Sequence, residues 1–401
     1  MRIAILGTRG VPARYGGFET FAAELSKRLC QKGHNVSVYC RSYLFPDDIN
    51  TKTEENLKGC LTRILLPCIR SKHLETLSHT FFSALHLVKW KLLDNQTAPQ
   101  VVVLCNGANA PLIPLIRVLG IKVLLNVDGI ERKRRKWGRL GACWYKFGEQ
   151  CAIRFPNVVI SDAEVIADYY RASHGSNSEV ITYGYDDSRE NSVSERLAGR
   201  PIPEISSTLR RFELTEGGYI LYVSRLEPEN NCHQLLAAYG SLRQSGSDLP
   251  ELVIVGNAPY ADRYIASLRQ TAEPGVKFLG FQFGDTYRDL MLGARLYVQA
   301  TEIGGTHPAL VESMGYGNTV IANETPENME VLGDSGLIYK KNSVGSLADK
   351  LKLALELTRM EHPTNRRLEL ALRARSRSLE RYSWSSIVEK YENLASSVVE
   401  G

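Results

Sequence analysis

The chain has 401 residues, 43% hydrophobic and 23% charged, which is typical of a globular protein and excludes a wholly disordered one. This length is sufficient for two domains with separate cores. The net charge of +5 suits anionic substrates or a lipid surface, but it is too small to indicate a nucleic-acid partner.

The eight cysteines include no C-x-x-C pair, which disfavours zinc and thioredoxin-type redox sites. Cys40 and Cys105 lie within apolar runs, as buried free thiols do, so we expect a reducing, cytoplasmic environment. The N-terminal sequence does not resemble a signal peptide. No apolar run approaches the roughly 18 residues that a membrane helix needs.

Strand-like and helical patterns alternate along the first half of the chain. A helix predicted from residue 18 ends at Gly33, a suitable C-cap. The predicted strands of this half are 2–7, 35–40, 61–67, 100–106, 122–128 and 157–162.

The first strand leads into a helix through the glycine-rich segment GTRGVPARYGGFET (7–20). A glycine-rich turn before a helix favours a phosphate ligand, and Gly16 and Gly17 would let it approach the backbone closely. The segment is not G-x-G-x-x-G, and Arg41 stands after the second strand where an acidic residue is usual. Both departures disfavour a dinucleotide-dependent dehydrogenase.

The segment NVDGIERKRRKWGRL (126–140) follows the fifth strand. Asp128 and Glu131 are carboxylates that could act on an acceptor hydroxyl group. The basic run beside Trp137 predicts either a solvated helix face or contact with an anionic bilayer. Its residues are Arg132, Lys133, Arg134, Arg135 and Lys136.

A polar stretch without periodicity, 183–205, predicts a linker, assigned to 188–205. A second alternating set follows, with strands at 219–225, 251–256, 276–280, 295–300, 318–323 and 336–339 and a last helix at 383–400. Two such halves imply an α/β protein with two doubly wound, Rossmann-like domains, 1–187 and 206–382, facing across a cleft.

Arg225 follows the first strand of the second half. Its guanidinium suits a diphosphate, although it could instead pair with Glu227 or Glu229 on the surface. Further on, TEIGGTHPALVESMGYG (301–317) joins a strand to a helix, with Pro308 in the first helical turn. The helix N-terminus favours an anion there.

A tight turn with surface carboxylates is the alternative for the segment 301–317. His307 within it is a candidate catalytic residue or a structural one. No D-x-D motif occurs, and His and Asp residues are not clustered for a metal. We therefore expect no metal site.

Four segments in order, 7–20, 127–137, 224–231 and 304–318, resemble the retaining family 4 glycosyltransferases of the GT-B fold. The likeness covers nearly the whole chain and is strongest for bacterial capsule and exopolysaccharide rhamnosyltransferases. It implies a hexosyltransferase with an acceptor-side first domain and a nucleotide-sugar donor domain. It also implies that 383–401 packs back on the first domain.

The resemblance implies the donor-binding residues Gly16, Gly17, Arg225, Asn230, Gly304, Gly305, Thr306 and Glu312, with Glu312 on the nucleotide ribose. The first glutamate of the family's E-x7-E motif falls at Gly304, so Glu302 is expected to take over the sugar contact. The family's lysine five positions after Arg225 is Asn230, and Arg9 or Arg14 could supply the missing charge. The catalytic candidates are Glu302, Asp128 and His307.

The implied reaction transfers L-rhamnose from a dTDP donor to a lipid-diphosphate-linked saccharide, without metal or other cofactor. The implied location is the inner face of the plasma membrane, with residues 131–137 at the acceptor or the anionic surface. The alternatives are a UDP-hexose donor such as UDP-glucose, a GT-B nucleotide-sugar epimerase or phosphorylase, and a non-catalytic nucleotide-sugar binder.

Overall fold

The computed structural model describes residues 1–13, 16–45, 59–71, 73–127, 129–130, 138–357 and 366–401. They form two compact units: Met1–Tyr183 with Trp384–Gly401, and Gly184–Ser383. Each unit is built around a parallel sheet, so the predicted fold class of two Rossmann-like α/β domains is confirmed.

The first unit contains a seven-stranded sheet in the order β3-β2-β1-β4-β5-β6-β7. All six strands predicted for this half form. The two-residue strand β7 was missed because so short a segment carries no periodic pattern. The strands are β1 (Arg2–Leu6), β2 (Asn35–Arg41), β3 (Leu61–Leu66), β4 (Val101–Cys105), β5 (Lys122–Val127), β6 (Val158–Ser161) and β7 (Glu179–Val180).

Helices cover both faces of this sheet, because alternate side chains of each buried strand point to opposite sides. Ile3 and Ile5 belong to one apolar cluster, and Ala4 and Leu6 belong to the other. Gly33 has a left-handed φ of +85° just past the first helix, as predicted for its end. The helices are α1 (Gly17–Gln31), α2 (Glu75–Leu93), α3 (Ile113–Arg117), α4 (Arg139–Ala152), α5 (Glu164–His174) and, from the end of the chain, α15 (Trp384–Glu400).

The second unit contains a six-stranded sheet in the order β10-β9-β8-β11-β12-β13. Every strand predicted for this half forms. The strands are β8 (Tyr219–Val223), β9 (Glu251–Val255), β10 (Val276–Gly280), β11 (Leu296–Gln299), β12 (Thr319–Asn323) and β13 (Leu337–Tyr339). Its helices are α6 (Glu190–Leu197), α7 (Ser206–Arg211), α8 (Cys232–Gln244), α9 (Asp262–Gln270), α10 (Gly284–Gly293), α11 (Pro308–Gly315), α12 (Pro326–Leu332), α13 (Val344–Leu357) and α14 (Arg366–Arg381).

The segment 188–205, expected to be a linker, instead contains α6 and contributes to the core of the second unit. Val193 is fully buried in that core. The buried Arg196 guanidinium donates to the Ala294 carbonyl oxygen at 2.5 Å and to Asn318 Oδ1 at 2.8 Å. The helix was not predicted because the segment is rich in charged residues, which are usually exposed. Arg196 is an exception, since its side chain is buried.

None of the described helices combines the length and apolar character that crossing a membrane requires.

Candidate functional site

Two loops meet at the carboxyl-terminal edge of the second sheet. One follows β8 and carries Arg225, and the other follows β11 and carries residues 300–307. The Glu302 backbone N–H donates to the Glu229 carbonyl oxygen at 2.9 Å, which joins them. The structure therefore brings the loop with the predicted diphosphate arginine next to the predicted glycine-rich turn.

The glycine-rich turn leads directly into α11, and Pro308 is the first helical residue, as predicted. His307 is the N-cap residue, and its carbonyl oxygen accepts from the N–H groups of Leu310 (3.0 Å) and Val311 (3.2 Å). Gly304, Gly305 and Thr306 are buried just before it. A turn of this kind at a helix N-terminus has the geometry and dipole to bind an anion.

His307 lies against Gly304, three residues earlier. A Cβ atom added at Gly304 would stand 2.4 Å from His307 Cε1, closer than any real contact. The imidazole therefore occupies the space that a side chain at position 304 would need. A larger residue at position 304, where the resemblance predicts a glutamate, would therefore require the His307 ring to move.

The two glutamates of this region have different environments. Glu302 lies in the turn and is partly exposed. Glu312 lies on α11, is only 7% exposed, and accepts a hydrogen bond from the Tyr287 hydroxyl at 2.5 Å. Burial, followed by the negative charge of Glu312, raises the pKa of Tyr287 well above its usual value. Tyr287 thus keeps its proton and orients the Glu312 carboxylate, a role that the sequence did not reveal.

Arg225 and Asn230 share the loop after β8. Arg225 Nη1 lies 3.7 Å from Glu227 Oε2, so the pairing considered as an alternative is present, with the arginine side chain 29% exposed. Asn230 Nδ2 donates to the Arg225 carbonyl oxygen at 2.6 Å. Asn230, at the position where the resemblance predicts a lysine, therefore braces the backbone of the loop.

A network of asparagine amides holds the end of β11, and sequence reasoning missed it. Asn231 and Asn323 donate to the Ala300 carbonyl oxygen at 3.0 and 3.2 Å, and Asn328 donates to that of Thr301 at 3.2 Å. The signal available in the sequence was an asparagine at the end of β12 and another beside Asn230. These bonds fix the backbone on which the glycine-rich turn begins.

Gly16 and Gly17 belong to the first unit, where Gly16 is the N-cap of α1 and Gly17 its first residue. The Gly16 carbonyl oxygen accepts from the Glu19 N–H at 3.1 Å. Glu19 Oε1 in turn accepts from the Arg9 backbone N–H at 2.9 Å, which closes the loop onto the helix. The Arg9 side chain pairs with Glu75 at 3.2 Å.

Several predicted residues lie outside the described part of the chain. They are Arg14, Asp128, Glu131, Arg132, Lys133, Arg134, Arg135, Lys136 and Trp137. Cys40 and Cys105 are buried free thiols, as predicted. Among the described residues, no group of three or more His, Cys, Asp or Glu side chains is arranged to hold a metal ion.

Two Rossmann-like domains, each built on a parallel sheet, are the architecture of the GT-B class of glycosyltransferase folds. Residues 209–374 match the family of glycosyl transferases group 1. Residues 1–186 match a domain of unknown function, DUF1972. The match of residues 209–374 to this family indicates a transferase.

A curated relative, O-antigen chain mannosyltransferase B of Escherichia coli, is 27% identical over 155 residues, 38% of this chain and 41% of that enzyme. The chain therefore matches less than half the length of that relative. Among solved structures, HepE of Anabaena in complex with UDP-glucose has a TM-score of 0.75 and 17% identity, covering 99% of this chain and all of that one. WaaG, a glycosyltransferase involved in lipopolysaccharide biosynthesis, has a TM-score of 0.70 and 14% identity, covering 98% and 99%.

Proposed function

We propose that this chain is a retaining family 4 glycosyltransferase. It transfers a hexose, L-rhamnose from dTDP-rhamnose, to a lipid-diphosphate-linked saccharide in bacterial cell-surface polysaccharide synthesis. The observation that carries the proposal is the junction of the Arg225 loop with the turn before α11, inside the matched group 1 domain. A guanidinium and a helix N-terminus at one sheet edge suit a diphosphate leaving group. The similarity of 155 residues to an O-antigen chain mannosyltransferase supports this product class.

In the proposed reaction, the bond between the sugar C1 and the diphosphate oxygen breaks, and the acceptor oxygen bonds to C1 on the same face. The acceptor proton moves to the leaving phosphate, so no strong enzymic base is required. Arg225 and the backbone N–H groups before α11 stabilise the charge that develops on the leaving group. Glu312, oriented by Tyr287, binds the ribose.

The remaining candidates take roles on either side of the transferred sugar. Glu302, in the turn after β11, contacts the donor sugar, and His307 lines the same turn. Asp128 contacts the acceptor hydroxyl group. No metal or cofactor takes part in this scheme.

The nucleotide is the first property to measure. The proposal predicts that dTDP raises the melting temperature more than UDP, GDP or ADP, and that EDTA does not change the shift. A ligand at 100 times its dissociation constant stabilises the native state by about 2.7 kcal/mol. A UDP-selective shift would replace the donor with a UDP-hexose, the alternative favoured by the structure of HepE with UDP-glucose. No shift with any nucleotide would overturn the transferase proposal.

The acceptor dependence of turnover separates transfer from epimerisation. A transferase releases nucleoside diphosphate in proportion to glycosylated acceptor, whereas an epimerase converts the nucleotide sugar with no acceptor present. Arg225→Lys keeps the charge but loses bidentate binding, and Arg225→Ala loses both. We expect kcat to fall by about 10²-fold or more in the alanine variant and less in the lysine variant.

We propose further that the first unit rests on the anionic inner face of the membrane. The sequence of the basic stretch 131–137 predicts contact with an anionic membrane surface. Helix α2 adds an exposed apolar stripe. Phe81, Leu85 and Leu92 are exposed at helical spacing on α2, with Leu92 77% exposed. Lys89 lies in the same helix, which complements an anionic lipid surface.

Vesicle sedimentation tests the membrane contact. The protein should sediment with phosphatidylglycerol vesicles, and Leu92→Glu should weaken binding by about tenfold, because a leucine side chain gains about 1.5–3 kcal/mol on burial. Leu379→Glu, at an exposed leucine of the second unit, is the matched control. Equal sedimentation of both variants and the wild type would contradict the α2 contact.

A further inference from the structure

A group of charged and polar side chains in the first unit has no role in the scheme above. We call it the arginine cluster, and it consists of Arg9, Arg41, Tyr43, Arg70 and Glu75. Arg9 follows β1, Arg41 ends β2, and Arg70 follows β3, so three arginines come from the carboxyl ends of three adjacent parallel strands. Ligands of doubly wound sheets bind at this edge.

Glu75 lies at the centre of the cluster and is the first residue of α2, a helix of 19 residues. Its Oε1 is 2.6 Å from Arg41 Nη1, and its Oε2 is 3.2 Å from Arg9 Nη2. The Tyr43 hydroxyl also donates to Glu75, and the Arg70 guanidinium stacks 4.6 Å from the centre of the Tyr43 ring. One carboxylate therefore pairs with two guanidinium groups, Arg41 and Arg9, and the third, Arg70, lies over the ring of the tyrosine that donates to it.

Within the described part of the chain, the cluster brings three guanidinium groups together with one carboxylate of its own. Arg41 is only 3% exposed, and within the described residues its Nε has no hydrogen-bond partner. A buried cation with an unsatisfied donor is costly unless an anion is near. The N-terminus of α2, which has no side-chain cap, adds the positive end of a helix dipole.

Cys68 lies close enough to the arginine cluster for its thiol to be influenced by the charges of the cluster. Burial raises the pKa of its thiol, and the charges of Arg41, Glu75, Arg70 and Arg9 all act on it. Cys68 is partly exposed, so reagents reach it. It lies two residues before Arg70 and is a chemical probe of the cluster in the native chain.

We propose that the arginine cluster is an anion site that binds the phosphate or diphosphate group of the acceptor; the identity of this ligand rests on the proposed function. Arg70 and Arg9 are the groups that contact the anion. Arg41 and Tyr43 orient them, and Glu75 is the internal counter-ion that keeps the empty site stable. The site lies in the first unit, whereas the nucleotide site of the proposed reaction is centred on Arg225 of the second.

Protection of Cys68 from alkylation tests the site without measuring transfer. Full-length protein is treated with iodoacetamide at about pH 9.5, above the usual thiol pKa of about 8.5, because burial raises the pKa of Cys68. Modification is mapped by mass spectrometry. The probes are inorganic phosphate, inorganic diphosphate and farnesyl diphosphate. We expect at least one anion to slow modification of Cys68 about fivefold or more, while the exposed Cys143 reacts at an unchanged rate.

Variants assign the effect to the cluster. Arg70→Ala, at an exposed position, should raise the half-protecting concentration about tenfold, since a charged hydrogen bond is worth about 1.5–3 kcal/mol. Arg171→Ala, at an exposed arginine of α5 paired with Asp168, should leave it unchanged. Glu75→Gln, if folded, should lower it, because the competing carboxylate charge is gone; a purely structural cluster would not bind more tightly.

The probes also identify the source of the anion. Equal protection by inorganic and farnesyl diphosphate supports a site for soluble phosphate groups, and protection by farnesyl diphosphate alone supports a lipid-linked acceptor. No protection by any probe, or protection that Arg70→Ala leaves intact, overturns the site. In Arg225→Ala, nucleotide binding should fall while Cys68 protection persists, so failure of the proposed function is distinguishable from failure of this one.

Discussion

The contact between Gly304 and His307 makes the sharpest prediction, tested by Gly304→Ala. The added Cβ would lie 2.4 Å from His307 Cε1 and 3.0 Å from Nε2. Ordinary carbon contacts lie at about 3.5 Å, so the ring must move by about 1 Å. A displacement of this size near a reacting centre costs about 10²-fold in rate.

Stability should change little in the same variant. An off-rotamer imidazole costs about 0.5–1.5 kcal/mol. Replacing glycine with alanine at an unstrained φ recovers about 0.4–1 kcal/mol through the unfolded state. The melting temperature should therefore stay within about 4 °C of the wild type. A large loss of activity with nearly unchanged stability is the expected signature.

A double-mutant cycle with His307→Ala decides whether the ring carries the effect. Sugar transfer is measured for the wild type, both single variants and the double variant. If displacement of the ring is the cause, Gly304→Ala has no further effect once the ring is absent. Gly345→Ala on α13, where nothing lies within 4 Å of the added Cβ, is the control. Full activity of Gly304→Ala, or an equal loss in both backgrounds, would refute the reasoning.

Tyr287→Phe should weaken nucleotide binding about tenfold by calorimetry, because Glu312 loses a charged hydrogen bond; the control Tyr297→Phe, whose hydroxyl donates to Gln299, should bind normally. Arg196→Met should lower the free energy of unfolding in urea by about 3–5 kcal/mol, because buried carbonyl oxygens lose their donor; a loss below about 1 kcal/mol would contradict this. Burial opposes ionisation of Glu75, but Arg41 and Arg9 lower its pKa overall. Its stabilising contribution should therefore be complete above about pH 4.5 and disappear on further acidification, so the wild type and Glu75→Gln should converge in stability in acid.

The strands were predictable because each is a short apolar run bounded by polar or glycine residues. β4 (Val101–Cys105) and β8 (Tyr219–Val223) are buried on both faces, so their sequences are almost wholly apolar. The prediction of a linker at 188–205 was wrong for the opposite reason. The charges of this segment resemble those of a solvated linker, and only tertiary structure shows that the Arg196 guanidinium is satisfied inside the second unit.

The candidate site was predictable as far as local chain geometry determines it. The turn at 304–307 and the start of α11 follow from glycine and proline spacing. The partner of Glu312 did not follow, because Tyr287 is 25 residues away and is brought near by the packing of α10. The packing of His307 on Gly304 also required coordinates, since spacing alone does not show where a ring points.

The final helix has a consequence for how the protein is made. Trp384 and Tyr391 of α15 lie in the core of the first unit, where their rings pack 6.4 and 5.3 Å from Phe21. The Tyr391 hydroxyl oxygen also accepts a hydrogen bond from Nδ2 of the buried Asn126 of β5 at 2.7 Å. The ribosome therefore completes the whole second unit before it supplies these side chains. At about 5–20 residues per second, the first unit waits on the order of ten seconds or more for its last apolar face. We therefore expect the second unit to complete its fold before the first unit does, although the first unit contains the residues that are synthesised earliest.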